Sequence, residues 1–449
     1  MNTGAQKLVF AGTSRLTEIF PAFGARLLDA SLRPLFGSRV LAAVYARGNR
    51  AIMQRVKAFR RFLVIPDIHI GDAVLTQPAL TAVRDFFPDA EVDYVVNATA
   101  APLIEGHPDA TRILPVFTGG TFPSAADVAA LREIIRKGRY DLCLGFSSLL
   151  EPEEQADPAQ PFVSVMSHAA TIVRNESDPA QINHFSYQDY QFVRGVLSMV
   201  ARPVREACYR GTRTTYADDA IEGAGRFAAE AGLLPGAPVV MFNPDGASPF
   251  TMLPFQGQVA LVERIARDTA VETTILVGAG HTAAGIGQRV VEALPPTLRA
   301  KVRIVPPSLP LASYAALIDL ADVFVTGDTG PLHLAAARRY SQSGSHRFRN
   351  RTAVLSFFGA TMPRMSGYAS SQPGFLPTNQ DAPSWCVLAG SRCHNITCLN
   401  KLYKTCRVVR CFEHLDVTAL ASVVVSHLAG LAGTAPATRH RLAPDQARA

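Results

Sequence analysis

The stretch FLVIPDIHIGDAVLTQPALTAVRDFF, residues 62–87, passes from strand to glycine-acid turn to helix without interruption. Phe62 to Ile65 is a short, apolar, β-branched-rich run suited to a buried parallel strand. Gly71-Asp72 punctuates it. From Ala73 onward Val74, Leu75, Leu80, Val83, Phe86 and Phe87 recur at helical spacings, and Pro88 ends the pattern. A strand feeding a helix through such a turn is half of a βαβ unit, and ligands of open α/β sheets gather at the carboxyl ends of strands. Asp72 is therefore a candidate site residue, with two readings: a helix cap or a general base.

Working outward, the strand–helix rhythm continues. Glu91 to Val96, Ile113 to Val116 and Tyr140 to Gly145 read as strands, and Ala101 to Glu105 and Ala125 to Lys137 as helices, which predicts a parallel sheet. Residues 151–180 are acidic, proline-bearing and aperiodic at first, and read as a long loop. Helical spacing returns over Tyr187 to Val200 and Ala217 to Ala231. Pro235 to Pro238 reads as a hinge, after which the rhythm restarts at Val239. Strands are expected at Glu272–Val277, Val302–Val305, Val323–Thr326 and Ala353–Phe358. Helices are expected at Phe255–Asp268, His281–Leu294, Leu311–Ala321 and Pro331–Ala337. Arg338 to Arg351 reads as a polar insertion and Val417 to Gly433 as a core helix. The expected organisation is an extension over 1–60, domains over 61–234 and 235–433, and a frayed tail over 434–449.

The 449 residues carry 48% apolar and 18% charged side chains, a composition that buries real cores, and the length implies two domains. No run approaches the ~20 apolar residues of a membrane helix. The N-terminus has no compact apolar segment with a small-residue cleavage site, so a protein that is not exported is expected. The net charge of +7 is unevenly placed. Residues 1–61 hold eleven Lys/Arg against Glu18 and Asp29, which leaves the remaining chain slightly acidic at −2. A basic appendage does not support nucleic-acid binding by the whole protein. Basic residues interleaved with Phe20, Phe23, Leu27, Leu28 and Leu35 fit either an amphipathic helix on an anionic membrane surface or a helical extension packed on the body.

A second glycine-acid turn occurs at Gly327-Asp328-Thr329-Gly330-Pro331-Leu332-His333. It follows a strand, and Pro331 stands where a helix start tolerates proline. Gly330 lets a ligand approach the backbone, and free N–H groups at a helix start favour phosphate. Asp328 and Thr329 thus belong either to a diphosphate cradle or to a simple cap, and His333 is either a structural histidine or a phosphate or ribose contact. Gly278-Ala279-Gly280 matches a dinucleotide loop weakly, since Gly285 overshoots the third position. Five of the seven cysteines, Cys386, Cys393, Cys398, Cys406 and Cys411, fall within 386–411 with His394 among them. The cluster implies a structural zinc or iron site, with disulfides and inert thiols as the alternatives, and it contains no CxxC knuckle.

Four motifs, LVIPDIHIGDAVLTQPAL (63–80), FNPDGASPFTMLP (242–254), SYAALIDLADVFVTGDTGPLHLAAA (313–337) and VLSFFGATMP (354–363), resemble glycosyltransferase family 9, the lipopolysaccharide heptosyltransferases. The resemblance covers about residues 62–420. It implies an α/β GT-B fold: two Rossmann-like, doubly wound parallel-sheet domains facing a cleft, here with a helical N-terminal extension. It also implies inverting, metal-independent transfer of a heptose-like sugar from a nucleotide-diphosphate donor such as ADP-heptose to a lipid-linked, lipopolysaccharide core-type acceptor. The expected location is cytoplasmic, peripheral on the inner face of the membrane. By resemblance, Asp72 beside Gly71 is the general base, Asp328, Thr329, Gly330 and His333 bind the donor, and Ser248 and Thr251 lie in a phosphate-contacting loop. The family usually carries a lysine or arginine where Thr251 stands and a tryptophan where Leu253 stands. Arg364 is the residue expected to compensate for the missing cation. The departure also fits a non-catalytic sugar-nucleotide-binding relative, and the cysteines fit a protein glycosyltransferase with a metal finger. A nicotinamide-dependent oxidoreductase is a more distant reading, because neither half shows the full glycine fingerprint.

Overall fold

The computed structural model describes residues 8–11, 59–119, 122–147, 149–150, 154, 162–165, 182, 184–198, 201–205, 208–280, 285–342, 347–348, 351–359, 361, 363–378, 382–389 and 411–431. The chain divides into two compact units, Met1–Thr212 and Arg213–Ala449. The sequence places the boundary at Pro235, later than this. The reason is pairing: the strand Arg213–Tyr216 joins Arg338–Ser341 in parallel, and the helix Asp218–Glu230 packs on Leu311–Ile318, so both belong with the second unit.

In the first unit the strands are β1 (Leu8–Ala11), β2 (Arg61–Ile65), β3 (Glu91–Asn97), β4 (Arg112–Phe117), β5 (Leu142–Gly145) and β6 (Phe162–Val165). They form one sheet in the order β1-β6-β5-β2-β3-β4. Every pairing is parallel except β1 on β6. Two expectations change here. The 151–180 stretch contains a strand, β6, because its apolar run Phe162-Val163 and Val165 extends the sheet beside β5. Of the 1–60 extension, residues 8–11 form the antiparallel edge strand β1 and residues 59–60 lead into β2, while the helices and the membrane contact expected of it fall on residues outside the described ones.

The helices of this unit are α1 (Ile70–Leu75), α2 (Gln77–Phe86), α3 (Ala125–Gly138) and α4 (Phe185–Ser198). α3 begins with a capping box: Ser124 Oγ accepts from Asp127 N, and the Asp127 carboxylate accepts from Ser124 N. Its apolar face, Val128, Leu131 and Ile135, joins Leu63, Ile65 and Val95 of the sheet in one core cluster. α2 is buried along almost its whole length and packs on α4.

The second unit contains β7 (Arg213–Tyr216), β8 (Val239–Phe242), β9 (Thr274–Gly278), β10 (Val302–Val305), β11 (Val323–Gly327), β12 (Arg338–Ser341), β13 (Arg347–Phe348), β14 (Ala353–Phe358) and β15 (Ser384–Leu388). Its main sheet runs β10-β9-β8-β11-β14-β15, all parallel. Renumbered along the chain, that order is 3-2-1-4-5-6, the doubly wound Rossmann arrangement. Besides the four-residue helix Pro296–Arg299, the helices are α5 (Asp218–Glu230), α6 (Phe255–Asp268), α7 (Ile286–Ala293), α8 (Leu311–Ile318), α9 (Gly330–Ala336), α10 (Pro363–Ser366) and α11 (Val417–Leu431). α11 turns Leu420, Ala421, Val424 and Leu428 inward against α6, as expected of a core helix.

The segment read as a polar insertion contributes β12 and β13 to a three-stranded sheet with β7. Its centre is Arg339, fully buried, with Nε bonded to both Asp319 oxygens at 3.0 and 3.2 Å. Tyr216 Oη donates to Asp319 Oδ2 at 2.9 Å, so the buried charge pair is tied to both β7 and β12. Among the described residues no helix is long and apolar enough to cross a membrane.

Candidate functional site

In each unit the strand order reverses next to the strand that opens the parallel βα series, between β2 and β5 and between β8 and β11. Doubly wound sheets bind ligands at the carboxyl end of such a switch point, where diverging connections leave a crevice. Both glycine-acid turns stand there.

In the first unit, the loop leaving β2 is held from three sides. Ser147 Oγ, just past β5, donates to Asp67 Oδ1 at 2.8 Å and so bridges the switch point. Asn97 Nδ2, at the end of β3, donates to Ile68 O at 3.1 Å, and Tyr94 Oη donates to Ala73 O at 2.7 Å. These bonds fix the entry to α1, which carries Asp72 as its third residue. His69 is the N-cap residue, and its side chain makes no capping bond. Its Nδ1 lies 3.2 Å from Asp72 Oδ2 instead.

The Asp72 side chain keeps 34% of its surface accessible, and that of His69 keeps 41%. Burial by the surrounding protein is the largest influence on the Asp72 carboxyl and raises it above the ordinary carboxylate range. The Asp67 charge adds to that rise, while the His69 hydrogen bond, charge and backbone N–H oppose it. His69 is itself raised, first by its bond to Asp72 and against the effect of burial. Below this pair Asp189 is 4% exposed and accepts from Thr76 Oγ1 at 3.0 Å. Burial, reinforced by Asp72, pushes its carboxyl well above the usual range.

In the second unit the switch point is bridged by Asn243, immediately after β8. Its Nδ2 lies 3.0 Å from Thr326 Oγ1, 3.2 Å from Thr329 Oγ1 and 2.9 Å from Asp245 O, and the two threonine hydroxyls are 3.1 Å apart. Thr329 is the N-cap residue of α9, yet its side chain makes no capping bond. The cap reading of Thr329 is therefore replaced by a cross-strand network.

The 244–253 loop folds over this turn. Gln258 Nε2, on α6, donates to Pro244 O at 3.0 Å and Leu253 O at 2.8 Å and holds both ends of the loop. Thr251 is 5% exposed, and both its N and its Oγ1 donate to Ser248 O, at 3.1 and 3.0 Å. Its only hydroxyl proton is thus directed at that carbonyl. The Thr251 carbonyl lies so close to Gly327 that a Cβ there would fall 1.9 Å from the oxygen. Ser248 Oγ accepts from Phe250 N at 3.3 Å. His333 is buried, with Nδ1 3.2 Å from Tyr368 Oη.

The structure thus gathers Ser248, Thr251, Thr329 and Gly330 around the end of β11, with Asp328 in the same turn. Arg364, on α10, has its guanidinium 6.0 Å from the Phe375 ring centroid. Sequence reading overlooked Asn243, Gln258, His69 and Thr326. Asn243 carried a usable signal, a polar residue directly after a buried apolar strand. It also overlooked Gly287: a Cβ at this first-turn residue of α7 would lie 2.0 Å from Gly278 O, so Gly287, rather than Gly285, permits the close helix–strand approach.

Of the clustered cysteines, Cys393, Cys398 and Cys406 lie outside the described residues. Cys386 and Cys411 are buried, and burial pushes the Cys386 thiol up to about 12. Among the described residues no three His, Cys, Asp or Glu side chains converge as a metal site.

Residues 229–342, which include the 244–253 loop and the Asp328 turn, match glycosyltransferase family 9 (heptosyltransferase). That match lies within the second unit and covers about a quarter of the chain. Lipopolysaccharide heptosyltransferase 3 of Escherichia coli (strain K12) is 25% identical over 79 residues, 17% of this chain and 23% of that protein. The match therefore spans about a quarter of that relative. The crystal structure of the glycosyl transferase family 9 from Veillonella parvula DSM 2008 superposes with a TM-score of 0.59 at 17% identity, covering 83% of this chain and 98% of the other. The E. coli ADP-heptose lps heptosyltransferase II gives a TM-score of 0.51 at 13% identity, covering 83% and 98%. At these identities the two structures establish the fold, the two Rossmann-like α/β units of GT-B glycosyltransferases.

Proposed function

We infer that the chain is an inverting glycosyltransferase that moves a heptose-like sugar from a nucleotide-diphosphate donor, ADP-heptose in the first instance, to a lipopolysaccharide core-type acceptor. The observation that carries this reading is the family 9 match over residues 229–342, which encloses the Asn243–Thr326–Thr329 network and the loop packed on it. Asp72 is the general base. Its carboxylate accepts the proton of the attacking hydroxyl while the diphosphate leaves from the opposite face of the sugar. The turn Asp328-Thr329-Gly330 and the Ser248 loop bind the donor, with His333 behind them. The raised Asp72 carboxyl predicts that activity falls on the acid side at a pH above the ordinary carboxylate range. The chemistry uses no metal, and the protein works in the cytoplasm beside the inner membrane, which its basic 1–61 segment approaches.

The test is release of ADP from ADP-heptose in the presence of lipopolysaccharide that lacks core heptose, with the product identified by mass spectrometry. Asp72→Ala is expected to abolish transfer and to leave ADP affinity nearly unchanged. Undiminished turnover in that variant removes the base assignment.

Thr251, where the family resemblance implies a cation, supports a second reading, a non-catalytic sugar-nucleotide-binding relative. A missing cation beside a developing diphosphate charge is worth about 2 to 4 kcal/mol of barrier. That reading predicts ADP-heptose binding by calorimetry with no product on any acceptor. A protein glycosyltransferase with a metal finger remains the third reading, and it requires stoichiometric zinc or iron in the purified protein.

A further inference from the structure

The reaction as derived leaves His69 unused, although its imidazole is bonded to the carboxylate that does the work. His69 Nδ1 stands 3.2 Å from Asp72 Oδ2, one helical turn away, and both side chains are partly open to solvent. An ionised carboxylate can only accept, so in that state the imidazole nitrogen carries the proton and donates. The surrounding charges make this bond consequential. Asp67 acts on both partners and raises both. Its own Oδ1 is engaged by Ser147 Oγ at 2.8 Å and Ile68 N at 3.1 Å, which fixes its position. Asp189 and Tyr94 face Asp72 from α4 and β3, and the Asp72 charge raises both of them in turn. Two further carboxyls and a phenol therefore interact with Asp72, and of those carboxyls Asp67 also acts on His69. Among the described residues, the group that favours ionised Asp72 is His69.

We propose that His69 is the positioning residue for the Asp72 base: its Nδ1–H holds Oδ2 and leaves Oδ1 for the attacking hydroxyl. The assignment rests on the reading of Asp72 as general base. In the step, the acceptor O–H bond breaks and its proton moves to Asp72 Oδ1. The oxygen's electron pair forms the bond to the anomeric carbon, and the bond from that carbon to the phosphate oxygen breaks, its pair leaving on the nucleoside diphosphate. His69 keeps its proton throughout, so the bond to Oδ2 has two effects. It prevents the carboxylate from rotating away, and it keeps the carboxyl ionised against burial and Asp67.

The proposal is tested on the full chain with His69→Ala, His69→Asn and Asp72→Asn. The imidazole titration of His69, followed by NMR and assigned by its loss in His69→Asn, needs no substrate. Its midpoint is expected to fall toward the ordinary histidine value in Asp72→Asn, and an unchanged midpoint overturns the pair.

ADP release from ADP-heptose with heptose-deficient lipopolysaccharide supplies the second readout. His69→Ala is expected to lose about tenfold or more in kcat/KM, with the acid limb displaced about one unit upward. KM for the donor should stay the same. His69→Asn, which places an amide N–H near the position of Nδ1, is expected to recover most of the rate. A His69→Ala profile superimposable on that of the parent overturns the proposal, whereas a role in folding alone would lower the yield of active protein without moving the limb. Normal turnover by Asp72→Asn overturns the base reading itself. An inactive Asp72→Asn with an unshifted His69→Ala limb overturns only the role of His69. If His69→Ala does not fold, or no transfer is seen, the titration in the parent and Asp72→Asn decides.

Discussion

Replacing Gly327 by alanine tests whether the contact between the 244–253 loop and the end of β11 builds the donor site. The added methyl would lie 1.9 Å from Thr251 O and 3.1 Å from Phe357 Cε2. Carbon and carbonyl oxygen approach to about 3.3 Å at closest, so the loop must retreat by about 1.4 Å. Such overpacking costs about 1–3 kcal/mol. The retreat also separates Thr251 from the turn in which Asn243 reaches Thr329 at 3.2 Å, a bond with little length to spare and worth about 1 kcal/mol. Together these give about 2–4 kcal/mol, or roughly 5–15 °C in unfolding midpoint for a unit of this size. Thermal unfolding reads the stability and calorimetry with ADP reads the site. Gly225→Ala is the control, because Gly225 lies on the exposed face of α5 with nothing within 4 Å of its Cβ position. It should gain up to about 1 kcal/mol from helix propensity. Gly327→Ala with the parent's midpoint refutes the packing argument. A lowered midpoint with unchanged ADP affinity refutes the link from that packing to the nucleotide.

Asp189 and Asp72 both have folded carboxyls raised above their unfolded values, so each contributes stability that is present at low pH and lost as pH rises through the folded value. Asp189→Asn, whose amide oxygen still accepts from Thr76, should gain on the parent in urea midpoint as pH rises above about 4, with no gain below; a pH-independent difference would contradict this. Asp72→Asn should gain in the same direction at neutral pH while losing transfer, and a loss of stability at neutral pH would count against burial as the dominant influence on this carboxyl. Arg339→Met takes the guanidinium away from buried Asp319, to which Tyr216 Oη still donates, and should cost about 3–5 kcal/mol in urea unfolding, much of it recovered in Arg339→Met/Asp319→Leu.

The main sheets were legible because their strands are short apolar runs flanked by helices with clean periodicity. Val302–Val305 and Ala353–Phe358 fall where the sequence puts them, and both glycine-acid turns mark real strand–helix junctions. What failed was the inference from polar composition to exposure. Arg338 to Arg351 reads as a solvated insertion, yet Arg339 is among the largest fully buried side chains. Its charge is matched by Asp319 at the end of α8, twenty residues away in sequence and invisible to any local window. β6 was missed for a related reason: an acidic, proline-bearing segment hides an apolar run whose partner, β5, sits well upstream.

The same distinction separates the parts of the site that could be read from those that could not. Asp72 and the Asp328 turn stand out in the sequence as candidates, because glycine and an acid between strand and helix serve either a helix cap or a ligand. Their supporting residues do not. Asn243, Gln258, Ser147 and His69 are ordinary polar residues until the fold places each within 2.8–3.2 Å of its partner. Thr251 shows the limit most clearly. From the sequence it is a missing cation. In the structure it is a buried hydroxyl that closes the turn at Ser248 and brings its carbonyl against Gly327. A lysine introduced there would lose that hydroxyl bond and need a path to solvent from a site only 5% exposed. Putting a lysine there is therefore not a neutral repair, and on the proposed donor reading a diphosphate would be met by backbone N–H groups and by Ser248, whose hydroxyl accepts from Phe250 and keeps its proton to donate.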